Sequence, residues 1–284
     1  MNDDNEAIQN LNDLKKLSQY CSKLLTESSV NPDALHTRKK YVYSLFMFGL
    51  SFVDGIITLA ERRQSRSIEP LVRGIQEAWI HLMFVYSTRS QIWMHYTLLQ
   101  DELKTTKKRD DLHAKGEGDP ERYKIRTKEA KHMRAYINRR YKELPVIPNV
   151  VASKGQTLES RTFTLKDECK IIDYYRSLKP KKTRQKTVTQ VGHYELVYSH
   201  LSGTSHVTPL ALNGLYKRDS EGRLHIDISG GGDTGYLSTL IMNAYLYQYQ
   251  LMRIFMERVT SERLILPDDI KLARRRMVAK RKPA

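Results

Sequence analysis

Apolar residues return every three or four positions along most of this chain, a spacing that predicts helices rather than strands. Residues 3–27 carry Ile8, Leu11, Leu14, Leu17, Cys21, Leu24 and Leu25 on one stripe, and Ser28-Ser29-Val30-Asn31-Pro32 ends it with turn residues. An apolar helix follows from about Thr37 to Arg63. Its segment Tyr41–Ala60 has the length of a bilayer span, but Asp54 and several Ser, Tyr and Gly residues dilute it. A buried core helix is therefore expected, with Asp54 a hydrogen-bonded or ion-paired core carboxylate. Gln64-Ser65-Arg66-Ser67 breaks the pattern, and Ser67 with Pro70 marks the start of the next helix.

Beyond Arg89 the pattern becomes charged. Ile92, Met94, Leu98, Leu99 and Leu103 continue a helix into KTTKKRDD, and Gly116, Gly118 and Pro120 mark a turn. A second charged helix then runs back to Pro145 with a thin apolar stripe, Tyr123, Ile125, Ala130, Met133, Ile137 and Tyr141. Such a hairpin serves either as a contact for a partner or nucleic acid, or simply as a solvated element. Asp167–Leu178 reads as a short helix, and LYKRD with RLHIDIS as a small β-hairpin. Gly230-Gly231-Gly232 lacks the lysine of a phosphate loop and reads as a connector. Thr234–Ser261 closes the chain with a sustained core stripe, in which Tyr245, Tyr247 and Tyr249 are core or interface aromatics.

The expected fold is all-α, a bundle of about six or seven helices. Residues 1–265 form one helical domain with the charged hairpin 96–144 as an insertion or arm, and 266–284 form a basic, mobile tail.

One stretch combines apolar surroundings with charge. On the helix Arg73–Tyr86, residues Arg73, Glu77 and His81 are i,i+4 neighbours, yet Ile80 and Phe84 crowd the same side. Burying such groups is costly unless they pair with one another or with something brought to them. The segment Tyr198–His206 adds Tyr198, Ser202 and His206, where Ser202 and His206 either face each other as nucleophile and base or orient a turn.

Charge then narrows the partner. The 284 residues carry a formal +16, an excess that points to a polyanion, nucleic acid first and an anionic membrane surface second, against a merely solvated basic surface. The candidate phosphate contacts are the loop residues Lys179, Lys181, Lys182, Arg184 and Lys186, and the terminal Lys271, Arg274, Arg275, Arg276, Lys280, Arg281 and Lys282. Cys21 and Cys169 match no redox or metal spacing, which fits a reduced, cytoplasmic setting. The acidic start MNDDNEAIQN lacks the order of a signal peptide, and no membrane association is expected. His193, His200 and His206 match no common zinc spacing, and neither a metal nor a cofactor is expected.

The Arg-x-x-x-Glu-Ala helix (Arg73–Ala78) together with Tyr198-x-x-Leu201-Ser202-x-x-x-His206 resembles a widespread bacterial family of helical proteins known only as a domain of unknown function. The resemblance covers roughly residues 40–260, without the charged arm and basic tail, and implies that Arg73, Glu77, Tyr198, Ser202 and His206 meet in the core of one bundle. Families of this look lie near the HEPN superfamily. Its ribonucleases use an Arg, four to six residues and a His, usually across a dimer. Three such pairs occur here, Arg89/His95, Arg126/His132 and Arg218/His225, against roughly two expected by chance from residue counts. Arg89/His95, which directly follows a core helix, is the second choice after the Arg73 row.

The function expected is a cytoplasmic bacterial protein that engages nucleic acid, RNA in preference to DNA. It is a metal-independent ribonuclease if it is an enzyme, with the resemblance implying a homodimer and a toxin or phage-defence setting. Two alternatives stand beside it. One is a non-enzymatic basic subunit that holds a nucleoprotein or an acidic protein partner. The other is an enzyme on a small phosphorylated molecule, with Arg73 as anion clamp and Glu77 as base.

Overall fold

The computed structural model describes residues 3–87, 109–117, 119–140, 164–178, 189–195, 216–218, 221, 224–226, 234–260 and 265–280. These residues form an all-α protein with a single two-stranded ribbon. The chain divides into two compact units, residues 1–82 with 193–284, and residues 83–192.

The first unit is built on α1 (Asp3–Glu27), α2 (Thr37–Glu61) and α3 (Ser65–Ser87, as far as Leu82), with two helices from the end of the chain. Those two are α8 (Thr234–Phe255), which ends in a π-helical turn Met256–Thr260, and α9 (Asp268–Lys280). α8 buries 15 of its 22 residues, so it is the central post against which the others pack. α1 runs parallel to it: Asn10 Nδ2 donates to Ser238 Oγ at 2.9 Å, and Cys21 lies at Gln248 eleven residues on. α2 runs the other way, with the Phe46 and Phe255 rings stacked at 4.5 Å. Gly49 permits that approach, because a Cβ there would stand 2.6 Å from Oε1 of Gln248 and as close to Leu251.

α2 is long and apolar enough to cross a membrane by length and composition. Within the fold it buries one face, Val42, Phe46, Gly49, Leu50, Val53, Ile56 and Ala60, and leaves Met47 and Phe48 exposed. Asp54 is hydrogen-bonded as expected but does not lie in the core. It sits beside the buried stripe on the exposed side, where Ser18 Oγ donates to its Oδ1 at 2.8 Å.

The turn into α3 sets that helix's start. Gln64 N–H and Arg63 N–H return to the carbonyls of Leu59 and Ala60, both at 3.0 Å, and Arg63 takes φ +56° at the place glycine usually fills. α3 begins at Ser65, two residues before the expected Ser67. A side chain on Gly74 would run into the Phe52 ring, so this glycine lets α3 lie close on α2. The expected β-hairpin is present, pairing Tyr216–Arg218 (β1) with Leu224–Ile226 (β2) in antiparallel register, Lys217 opposite His225.

The basic end of the chain corrects the reading of a mobile tail. Residues 268–280 are helical because Ile270, Ala273 and Met277 form an i,i+3,i+7 stripe that is buried. Arg276 Nη2 reaches the buried Asp13 carboxylate and donates to Asn10 Oδ1 at 3.0 Å. Tyr245 O–H donates to the Ile270 carbonyl at 3.0 Å, and Arg274 lies 4.8 Å over the Tyr249 ring.

The second unit holds helical residues 109–114 (α4), α5 (Pro120–Arg140), α6 (Leu165–Ser177) and the start of α7 (Gln190–His193). α4 and α5 make the charged hairpin, closed by stacked His113 and Tyr123 rings at 4.0 Å and by Tyr123 O–H donating to Asp110 at 3.1 Å. Thr164 and Asp167 exchange hydrogen bonds as a capping box that starts α6. Asp173 accepts from the N–H groups of Gln190 and Val191 at 2.8 and 3.0 Å, which caps α7 from a distance in sequence.

Candidate functional site

α3 carries polar groups on a helix whose other faces are filled by buried Ile68, Val72, Ile75, Ala78 and Leu82. Arg73 Nε donates to Glu77 Oε1 at 3.0 Å, and the two side chains are 24% and 34% exposed, so the pair opens to solvent at one edge. Their mutual hold is that of a partly screened i,i+4 pair, about 0.5 kcal/mol. His81 lies one turn on, half-buried.

The row begins a turn earlier than the expected Arg73. Glu69 is buried and accepts a hydrogen bond from Tyr236 O–H of α8 at 2.8 Å. Between Glu69 and Glu77 stands Gln76, fully buried, whose Oε1 and Nε2 find no partner among the described residues. A buried amide without partners costs free energy, and such exceptions concentrate where a structure serves something besides stability. Glu69 was legible four residues before Arg73 in the same i,i+4 series; Gln76 carries no charge and no motif, and burial alone reveals it.

A second polar cluster lies on the neighbouring side of α3. His193 Nε2 and the buried Tyr247 hydroxyl are 2.8 Å apart, and the Trp79 ring packs 5.4 Å from each ring. The hydroxyl or the imidazole donates according to the tautomer. In the sequence His193 stands out only beside His200 and His206, a trio that matches no common zinc spacing, and those two lie outside the described residues. Among the described residues no group of three His, Cys, Asp or Glu side chains converges as metal ligands would.

Of the other expected site residues, Tyr198, Ser202 and His206 lie outside the described residues, as do Arg89 and His95 and the loop residues Lys179, Lys181, Lys182, Arg184 and Lys186. Of the terminal set, Lys271 pairs with Asp268 at 2.9 Å and Arg275 is exposed on α9. Arg274 and Arg276 are occupied in packing that helix, Lys280 is its last residue, and Arg281 and Lys282 lie outside the described residues. In the other Arg/His pairs, Arg126 of α5 donates to Glu129 at 3.3 Å with exposed His132 beyond it. Arg218 and His225 stand on opposite strands of the ribbon.

Fold and site together define an all-α protein with a partly buried acid–base row on one helix. Residues 39–223 match a family of unknown function (DUF5677), and the chain belongs to that family. The match takes in α2, α3 and the charged hairpin that the resemblance left out, and it stops before α8. No curated protein and no solved structure matches the chain.

Proposed function

We propose that this chain engages nucleic acid, RNA in preference to DNA, and cleaves it without a metal ion from a centre on α3. The observation that carries the reading is the row on α3 that runs from the buried Glu69 and Gln76 to Arg73, Glu77 and His81, which solvent reaches in part. The formal charge of +16 supplies the attraction for a polyanion. RNA follows from the chemistry. Its 2′-hydroxyl is an internal nucleophile, so a metal-free site needs only a group that moves that proton and a cation that meets the charge growing on phosphorus. In this reading His81 takes the 2′-hydroxyl proton as the 2′-oxygen bonds to phosphorus. It returns a proton to the 5′-oxygen as the bond of that oxygen to phosphorus breaks, leaving a 2′,3′-cyclic phosphate and a 5′-hydroxyl. Arg73 meanwhile turns from Glu77 toward the phosphorane. Tyr198, Ser202 and His206 belong to the same proposal through the resemblance. A bacterial toxin or phage-defence effector is the setting, the HEPN kinship and a homodimer its expected frame, and the cytoplasm its compartment.

Induced expression tests it. Wild-type chain is expected to arrest growth and fragment total RNA, and Arg73→Ala to relieve both while remaining folded. Healthy cells with intact RNA would overturn the catalytic part.

One observation favours a second reading, a non-enzymatic basic subunit. Two carboxylates share the row with one guanidinium, and each is already engaged, Glu69 by Tyr236 and Glu77 by Arg73. A row satisfied in this way also serves as a polar lock between helices, with RNA or an acidic partner held elsewhere.

A further inference from the structure

α5 has a pattern that the site on α3 does not use. Its 21 residues hold eight Lys and Arg against two Glu. Tyr123, Ala130, Met133 and Tyr136 are its half-buried residues and mark its packed side. At about 100° per residue, Lys124, Lys128, Lys131 and Arg139 gather on the opposite side within an arc of roughly 80°. All four are exposed. Lys124 is shared with Glu121 at 2.9 Å; Lys128, Lys131 and Arg139 have no ion-pair partner among the described residues. Lys124 to Arg139 spans about 22 Å along a straight helix, a distance over which a duplex presents about thirteen phosphate charges.

We propose that this face of α5 is a docking surface for the backbone of a double-helical nucleic acid, read without regard to sequence. The inference rests on the reading of this chain as a nucleic-acid-engaging protein and names the form of the partner. Three features of the face choose the occupant. A row of four exposed cations along one side of a helix, at steps of four, three and eight residues, complements a nucleic-acid backbone, which proteins recognise through phosphate contacts and shape. Single strands are held by aromatic platforms that stack on bases, and here Tyr123 and Tyr136 lie on the packed side. A membrane-surface helix needs a broad apolar face, and among the described side chains of α5 only Ile125 is a large apolar group left exposed. Duplex RNA and duplex DNA share the phosphate chemistry, and the experiment separates them.

The experiment titrates full-length chain into a fluorescent 20-base-pair RNA duplex, the DNA duplex of the same sequence, and the single RNA strand, from about 50 to 200 mM KCl. Wild type is compared with the quadruple variant Lys124→Gln/Lys128→Gln/Lys131→Gln/Arg139→Gln. The wild type is expected to bind duplex more tightly than single strand, with RNA over DNA if the α3 centre selects the 2′-hydroxyl. The quadruple variant is expected to bind duplex at least about 30-fold more weakly at the lowest salt. Its slope of log K against log salt is expected to be shallower by about three. Circular dichroism checks α5; should the quadruple variant lose helix, the double variant Lys128→Gln/Lys131→Gln carries the test, with a slope shallower by nearly two. Duplex binding with an unchanged slope in a folded variant overturns the α5 surface and leaves the broader reading standing. Tighter binding of the single strand also overturns it. A wild type that binds none of the three probes overturns both.

Discussion

Gln76 is the residue at which stability and use part most clearly. Its amide is fully buried with both ends unpartnered among the described residues, so leucine, of similar volume, removes a desolvation cost without opening a cavity. Gln76→Leu is expected to stabilise by about 1–2 kcal/mol, a rise in Tm of a few degrees by calorimetry. A lower Tm would mean that the amide contributes a contact to the native fold. The two cysteines make the opposite case, groups with no visible task. Burial pushes the thiols of Cys21 and Cys169 up to about 12, so neither holds a thiolate near neutrality. Both are expected to resist a thiol reagent at pH 8 until the chain unfolds; prompt labelling of the native protein would contradict their placement.

At the scale of elements, two devices fix helices that periodicity alone only outlines. Arg276 anchors α9 to Asp13 and Asn10, and removing it leaves Asp13 buried beside no cation. Arg276→Ala is expected to cost about 3 kcal/mol, read as a lower urea midpoint. A loss near zero would return the C-terminal segment to the mobile tail expected from its charge. At α6, burial raises the Asp167 carboxyl, but the Thr164 backbone and hydroxyl and Lys170 outweigh it and hold it below the ordinary value. A carboxyl depressed in the folded state stabilises fully above its unfolded value, near pH 4, and that contribution is lost as pH falls through the folded value. Thr164→Ala is expected to cost about 1 kcal/mol at pH 7 and progressively less below pH 4 as the same partner is titrated. An equal cost at pH 7 and pH 3 would contradict the capping box.

The elements were the legible part of this chain. α1 and α2 follow their apolar steps closely, because each buries one stripe against a neighbour. The centre of the molecule was not legible. The Arg73 helix draws the eye by mixing charge with apolar residues, yet α8 is the post, and only the packing of α1, α2 and α9 around it shows that. Charge misled at the end of the chain, where Arg274 and Arg276 sit beside a buried stripe of Ile270, Ala273 and Met277. The stripe is three residues in a basic background, too sparse to outweigh the cations by eye. In the site, Arg73 and Glu77 pair as their spacing implies, whereas Gln76 and the His193–Tyr247 contact depend on which helices meet.

For the whole molecule the deciding question is whether α3 carries a reaction. The direct measurement is cleavage of a defined RNA by purified chain in excess EDTA, comparing wild type with Arg73→Ala. Fragments are expected from the wild type without added metal, with a rate lower by about 10²–10³ in the variant at equal RNA binding. Intact RNA from a folded wild type, or equal cleavage by both proteins, would contradict a reaction on α3.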